Sequence, residues 1–187
     1  MYRIYIKRLL DCVFSFILII VLSPIFLIIF IMIKADDGGR VIFSQERAGL
    51  NRKTFKIYKY RTMVENAETI GPKNTQINDN RITKVGQKLR NTSLDELPQL
   101  VNIFKGDMSF IGPRPDIPNR TEDTDYLKRF KVRQGITGLA QVSGRSSIPP
   151  EKRLYYDIQY IEGLSFKMDL GILIKTVKNV LLRLDTN

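Results

Sequence analysis

The chain has 187 residues, a length that suits one compact domain with an appendage. Its formal net charge of +11 favours anionic partners such as nucleic acid, acidic lipid headgroups or phosphorylated substrates. It contains no histidine and one cysteine, Cys12. This excludes histidine-based acid–base catalysis, serine–histidine triads, intrachain disulfides and most zinc sites, and leaves carboxylates, Lys, Arg, Tyr, Ser and Thr to carry any chemistry.

The first element is an uncharged apolar segment, residues 13–33, about as long as the roughly 20 residues that cross a bilayer. Cationic residues precede it and a basic chain follows it, so the positive-inside rule favours placing both ends in the cytoplasm. That arrangement requires a hairpin within the membrane, and Ser23-Pro24 in the middle of the segment supplies a break. A Pro-kinked spanning helix is the alternative that the residues leave open.

The polar part of the chain begins with two short β-patterned segments, residues 40–44 and 54–58. The turn-forming residues 48–51 lie between them and predict a β-hairpin. Residues 65–80 are polar, contain Gly71-Pro72 and predict a mobile loop.

Four later segments have helical patterns, residues 85–90, 94–104, 150–161 and 169–184. The last alternates an apolar stripe with Lys and Arg, which suits either the core or a membrane surface. The pattern as a whole predicts an α+β protein in which helices dominate.

Asp95 and Glu96 are adjacent acids at the predicted start of the 94–104 helix. Ser93 as N-cap and Glu96 three positions later fit a capping box, so a purely structural role explains them. Pro98 complicates that register, because it removes an intrahelical hydrogen bond.

Potential phosphate ligands follow the acid pair. Arg114 lies between Pro113 and Pro115, where restricted backbone freedom favours a fixed guanidinium that binds phosphate bidentately. The glycine-spaced segments 134–138 and 143–145 could approach phosphate oxygens, although each is also explained as a turn.

These motifs, in this order, resemble the bacterial sugar transferase family, the monotopic polyprenyl-phosphate phosphoglycosyl transferases, in its minimal catalytic-core form. Besides the Ser23-Pro24 segment, the matching stretches are residues 43–50, 55–63, 79–83, 89–90, 92–100, 105–115, 135–138, 141–145 and 156–160.

The resemblance implies two regions. Residues 1–36 would form a re-entrant membrane helix broken at Ser23-Pro24, and residues 37–187 a small cytosolic catalytic domain with a β-hairpin and amphipathic interfacial helices. It implies location at the cytoplasmic face of the bacterial inner membrane.

The implied reaction is transfer of a sugar 1-phosphate from a UDP-sugar to undecaprenyl phosphate, with release of UMP, as the start of glycan assembly. Membrane lipid would be a further partner and nucleic acid would not. The sugar, the pathway and a homodimeric state are left open.

The resemblance also implies roles for single residues. Asp95 would be the nucleophile that forms an aspartyl phospho-sugar, and Glu96 would hold Mg²⁺ against the diphosphate. A helix N-terminus would keep Asp95 ionised. The substrate-binding residues expected from the matched motifs are Lys59, Arg90, Arg114, Arg145 and Asp157; Lys59 could instead pair with a carboxylate.

An alternative of a different class is a membrane-tethered basic protein that binds nucleic acid or recruits glycan enzymes without catalysis. The net charge permits it, but the basic residues are dispersed and no nucleic-acid-binding fingerprint is present.

Overall fold

A computed structural model describes residues 1–71, 79–118, 124–144 and 148–182. The helices of the described residues, after a π-helical turn at Tyr2–Ile6, are α1 Lys7–Val21, α2 Ser23–Asp37, α3 Ala67–Ile70, α4 Lys84–Asn91, α5 Gln99–Lys105, α6 Thr124–Leu127, α7 Leu139–Val142, α8 Pro150–Glu162 and α9 Phe166–Leu181. The strands are β1 Ile42–Ala48, β2 Thr54–Tyr60, β3 Met108–Ile111 and β4 Gln134–Thr137. The predicted helix-dominated α+β class is confirmed.

The N-terminal apolar segment is a pair of helices, not one rod. Leu22 has non-helical dihedrals, and Pro24 in the first turn of α2 has no amide hydrogen to continue the bonding of α1. The chain therefore bends by 61° where Ser23-Pro24 predicted a break. Within the described ranges, no individual helix has the length and apolarity to cross a bilayer, whereas this bent pair meets both criteria jointly.

The predicted β-hairpin is confirmed, with two differences in its bounds. β1 begins two residues later than predicted and includes Ala48, which was expected in the turn, and β2 is two residues longer. β1 and β2 pair antiparallel with Ala48 opposite Thr54 and Ile42 opposite Tyr60. In the connecting turn Asn51 adopts φ 53° and Arg52 φ 63°, left-handed values that non-glycine residues adopt at some cost.

Two local predictions were wrong. Residues 94–104 do not form one helix: a 3₁₀ turn, Leu94–Glu96, precedes α5, which begins only after Pro98. The ring of Pro98 and its missing amide hydrogen separate the two. The capping box is absent too, because Ser93 has φ 56° and its side chain caps no amide.

The segment 65–80, predicted as a loop, contains the helical turn α3, while residues 72–78 lie outside the described residues. The predicted helices 85–90 and 150–161 are confirmed as α4 and α8. α9 begins three residues earlier than predicted, and Ser165 caps it by accepting a hydrogen bond from the Met168 amide.

The described residues form three apolar core clusters. One joins α2, β2 and α4 through Ile29, Ile33, Tyr60 and Leu89. A second lies between β2, α5 and β3, and a third joins β3, α8 and α9. Leu94 and Leu97, which flank Asp95 and Glu96, pack against the first cluster and so fix the position of the acid pair.

Candidate active site

Asp95 and Glu96 lie in the 3₁₀ turn between α4 and α5, next to β2. The turn is held by Leu94 and Leu97, which pack against the cluster beneath α2. Ser93, which precedes the turn, adopts the left-handed region with φ 56°, and the chain changes direction there after α4.

Glu96 is clamped by two cations. Lys59 Nζ donates to Glu96 Oε1 at 2.7 Å, and Arg114 Nη2 donates to the same oxygen at 3.0 Å. Burial opposes ionisation of this carboxyl, but Arg114 and Lys59 more than offset it and lower the pKa of Glu96 to about 2. Glu96 is therefore ionised throughout the physiological pH range.

Asp95 has the opposite environment. No residue in the described ranges donates a hydrogen bond to its carboxylate. Burial, reinforced by the charge of Glu96, raises the pKa of Asp95 above its usual value, although Lys59, Arg90 and Arg114 act against the shift. The expected helix N-terminus is absent at Asp95, because the residue lies in a 3₁₀ turn and α5 begins only after Pro98.

The other predicted ligands are not all at the acid pair. Arg90 is half-buried, influences Asp95 electrostatically and donates through Nε to Thr62 Oγ1 at 2.8 Å. Arg145 lies outside the described residues. Asp157 is buried, with 2% of its surface exposed, and its Oδ2 lies 2.8 Å from Arg129 Nε.

Arg129 connects Asp157 to the site indirectly. Its Nη2 donates to the backbone carbonyl of Arg114 at 3.0 Å, and its Nη1 pairs with Asp116 at 3.2 Å. Burial raises the pKa of Asp157 to about 6 despite this partner. The cluster therefore supports the backbone that presents the Arg114 guanidinium to Glu96.

A cleft opens beside Glu96. Its walls come from the hairpin, α5 and the β3 and β4 ends, and are lined by Arg47, Ile57, Lys59, Glu96, Gln99, Arg114, Pro115 and Gly135. Sequence reasoning singled out neither Arg47 nor Arg129. The hairpin register could have indicated Arg47, because pairing with Phe55 places it on the face of the hairpin that carries Lys59.

The glycines of segment 134–138 pack against backbone. A Cβ atom at Gly135 would lie 2.1 Å from the Gly112 nitrogen, and one at Gly138 would lie 2.1 Å from the Gly112 oxygen. Their small size therefore permits the ends of β3 and β4 to approach each other. Gly135 also lines the cleft, and contact of this segment with phosphate stays a prediction.

The acid pair suits a hard divalent cation. Mg²⁺ commonly takes one or two protein carboxylates and completes its shell with water and substrate phosphate. The described residues form no cluster of three or more acidic or thiol ligands, but both hydrogen bonds to Glu96 end on Oε1. Its Oε2 accepts none from them and is available to a metal.

The cleft combines the ionised Glu96 with the cations Arg47, Lys59 and Arg114, and Asp95 precedes Glu96 in the same turn. Such a concentration of cations suits a phosphorylated substrate. The chain belongs to the bacterial sugar transferase family, whose model matches residues 2–183. The resemblance drawn from the motifs is thereby confirmed, and with it the class of enzyme, a sugar transferase.

Three relatives illustrate the match. The exopolysaccharide production protein ExoY of Sinorhizobium fredii is 38% identical, over 94% of this chain and 85% of its own. The UDP-glucose:undecaprenyl-phosphate glucose-1-phosphate transferase of Klebsiella pneumoniae is 43% identical over 91% of this chain. The undecaprenyl-phosphate galactose phosphotransferase of Salmonella typhimurium is 40% identical over 96%. The chain spans only 39% and 41% of the latter two proteins.

Proposed function

We propose that this protein transfers a sugar 1-phosphate from a UDP-sugar to undecaprenyl phosphate and releases UMP, in two steps through a covalent intermediate on Asp95. The observation that carries the proposal is the contrast between the two acids: Glu96 is clamped by two cations, whereas Asp95 accepts no hydrogen bond from the described residues. The names of the Klebsiella and Salmonella relatives support this type of reaction.

In the first step a carboxylate oxygen of Asp95 attacks the β-phosphorus of the donor. The bond from that phosphorus to the bridging oxygen breaks, and UMP leaves with the electron pair. In the second step an oxygen of undecaprenyl phosphate attacks the same phosphorus, and Asp95 is released. A covalent intermediate suits this pair of substrates, because the soluble donor and the lipid acceptor need not occupy the site together.

Charge is the principal obstacle, since Asp95 must approach a diphosphate that is itself anionic. Lys59, Arg90 and Arg114 all contribute a positive field at Asp95. A Mg²⁺ held by Glu96 and the diphosphate would supply further neutralisation and polarise the phosphoryl oxygens. Lys59 and Arg114 hold Glu96 in the orientation that leaves its second oxygen accessible.

The location we propose is the cytoplasmic face of the membrane, with α1 and α2 forming a re-entrant pair. Two separate regions of the surface support it. Apolar side chains on α1 and α2 are exposed, among them Leu9, Phe14, Phe16, Ile20, Leu27, Ile28, Phe30 and Ile31. The outer face of α9 exposes a second apolar stripe, Phe166, Leu170, Leu173, Ile174, Val177 and Val180. Exposed apolar faces flanked by lysines suit an anionic lipid surface.

The decisive experiment measures UMP release by the purified protein in nanodiscs with undecaprenyl phosphate, Mg²⁺ and a panel of UDP-sugars. We expect release by the wild type and by Asp36→Asn, a control at an exposed position. Asp95→Asn should release none, since its amide cannot act as the nucleophile. Without acceptor, intact-mass analysis should show a sugar-phosphate adduct on the wild type and on Asp36→Asn, but not on Asp95→Asn.

Equal UMP release by Asp95→Asn and wild type would reject the nucleophile assignment. Absence of release with every donor would favour the binding or scaffold alternative.

A further inference from the structure

Arg47 lies in the cleft on the same face of the β-hairpin as Lys59. In the antiparallel register Arg47 is opposite Phe55, and Phe43 is opposite Lys59. Because side chains alternate along a strand, residues 43, 45 and 47 share one face with residues 55, 57 and 59. Both Arg47 and Lys59 line the cleft, together with Ile57 between them.

The cations of the cleft differ in whether a carboxylate neutralises them. Lys59 and Arg114 both pair with Glu96. Arg47 has no carboxylate at ion-pair distance among the described residues, and its Nη2 instead donates to the amide oxygen Gln45 Oε1 at 2.6 Å. Asp116 contributes a favourable field, but its carboxylate already engages Arg129.

An arginine that has no carboxylate partner is suited to binding an anionic ligand. Arg47 is partly buried, and burial together with the nearby charge of Arg114 lowers its pKa. A guanidinium that is partly desolvated and has only a neutral partner gains more from a phosphate than one already in an ion pair. The hydrogen bond from Arg47 Nη2 to Gln45 Oε1 fixes the plane of the guanidinium group.

The position of Arg47 along the hairpin indicates whether it would bind a phosphate of the soluble donor or that of the lipid acceptor. Lys59 is next to Tyr60, whose hydroxyl donates to the backbone oxygen of Phe26 in α2 at 3.3 Å. Arg47 lies four residues along β1 from Phe43, the partner of Lys59, which is about 14 Å at roughly 3.4 Å per residue. It therefore lies at the end of the cleft away from α2, where a soluble group enters more readily than a lipid anchored beside the N-terminal helices.

We propose that Arg47 binds the phosphate of the nucleotide half of the donor, the group that leaves as UMP, with Gln45 orienting its guanidinium. The inference rests on the proposed function. Arg47 would stabilise both the bound donor and the departing nucleoside monophosphate, while Lys59 and Arg114 serve the phosphate that remains on the enzyme.

The test is equilibrium titration of the protein in nanodiscs with UMP and Mg²⁺, which requires no turnover. A charge-assisted contact of this kind corresponds to roughly 10- to 100-fold in affinity. We expect Arg47→Met to raise the Kd for UMP by that factor and Arg47→Lys to restore part of it. Lys56→Met, an exposed position on the other face of the hairpin, should leave the Kd unchanged.

A second measurement isolates the first step: exchange of labelled UMP into UDP-sugar in the absence of lipid acceptor. Arg47→Met should slow this exchange, whereas the KM for undecaprenyl phosphate in the complete reaction should stay within about twofold. Near-UV circular dichroism and the thermal unfolding midpoint of both Arg47 variants establish that they fold.

Each of the following outcomes overturns the inference. One is a UMP affinity of folded Arg47→Met equal to that of the wild type, or no UMP binding by the wild type. Another is a large rise in the KM for undecaprenyl phosphate with unchanged UMP affinity, which would place Arg47 at the acceptor phosphate. Repeating the titration in Asp95→Asn separates this result from the nucleophile assignment, because the Arg47 effect on binding should persist there.

Discussion

The ion pairs of Glu96 should stabilise the fold at neutral pH, and Glu96→Gln tests this with little change in shape. The side chain of Glu96 is 17% exposed, and its carboxylate holds two cations that would otherwise face each other. A fall in pKa from 4.5 to about 2 corresponds to about 3 kcal/mol. We expect Glu96→Gln to lower the free energy of unfolding by about this amount at pH 7.

The pH dependence of this effect has a definite sign. Because the pKa of Glu96 is lower in the folded protein than in the unfolded chain, its contribution is complete above about pH 4.5 and is lost as the pH falls towards 2. By pH 3 the difference between wild type and Glu96→Gln should shrink to about 1 kcal/mol. Glu46→Gln, on an exposed position of β1, is the matched control and should change little.

The assay is urea unfolding in detergent micelles, followed by tyrosine fluorescence and far-UV circular dichroism at several pH values between 7 and 3. A gap between wild type and Glu96→Gln that stays constant over this range would refute the electrostatic reasoning. If Glu46→Gln lowers the free energy of unfolding by a similar amount, the effect comes from removal of any acidic residue and not from the ion pairs of Glu96.

Two further variants test the packing that supports the site. Asp169 is buried and pairs with Lys7 at 2.7 Å. Asp169→Asn should therefore lower the free energy of unfolding by roughly 3 kcal/mol and increase amide hydrogen exchange throughout α9. Amide protection equal to that of the wild type would contradict this. Gly135→Ala should prevent folding, because the added Cβ would lie 2.1 Å from the Gly112 nitrogen. Gly171→Ala, where the added Cβ meets open space, should fold normally. Circular dichroism of the two variants tests this difference.

Patterns in the residues predicted the regular elements well where local physics determines them. The hairpin follows from two β-patterned segments around a turn, and the helix break follows from Ser23-Pro24 in an apolar run. The apolar periodicity of residues 94–104 predicts one helix, but Pro98 divides this segment into a 3₁₀ turn and α5. A conflict between periodicity and a proline is better resolved in favour of the proline, whose missing amide hydrogen no side chain can replace.

The arrangement of side chains in the site was harder to predict from the sequence. Motifs identified the acid pair and three of its nearby cations, but local spacing could not show that Lys59 and Arg114 share one oxygen of Glu96. The role of Asp157 depends on Arg129, which is 28 positions away along the chain and approaches it only in the folded protein. Long-range pairs of this kind require the tertiary structure.

The contrast between the neighbouring acids has a chemical consequence. A carboxylate that accepts hydrogen bonds or ion pairs is stabilised and is a poorer nucleophile, so the arrangement that suits Glu96 as a metal ligand would impair Asp95. The 3₁₀ turn separates the two environments: both cations are engaged by Glu96, and Asp95 remains desolvated without a hydrogen-bonding partner among the described residues. The free energy lost by burying Asp95 is offset locally by the ion pairs of its neighbour, which allows a reactive acid to persist in a folded site.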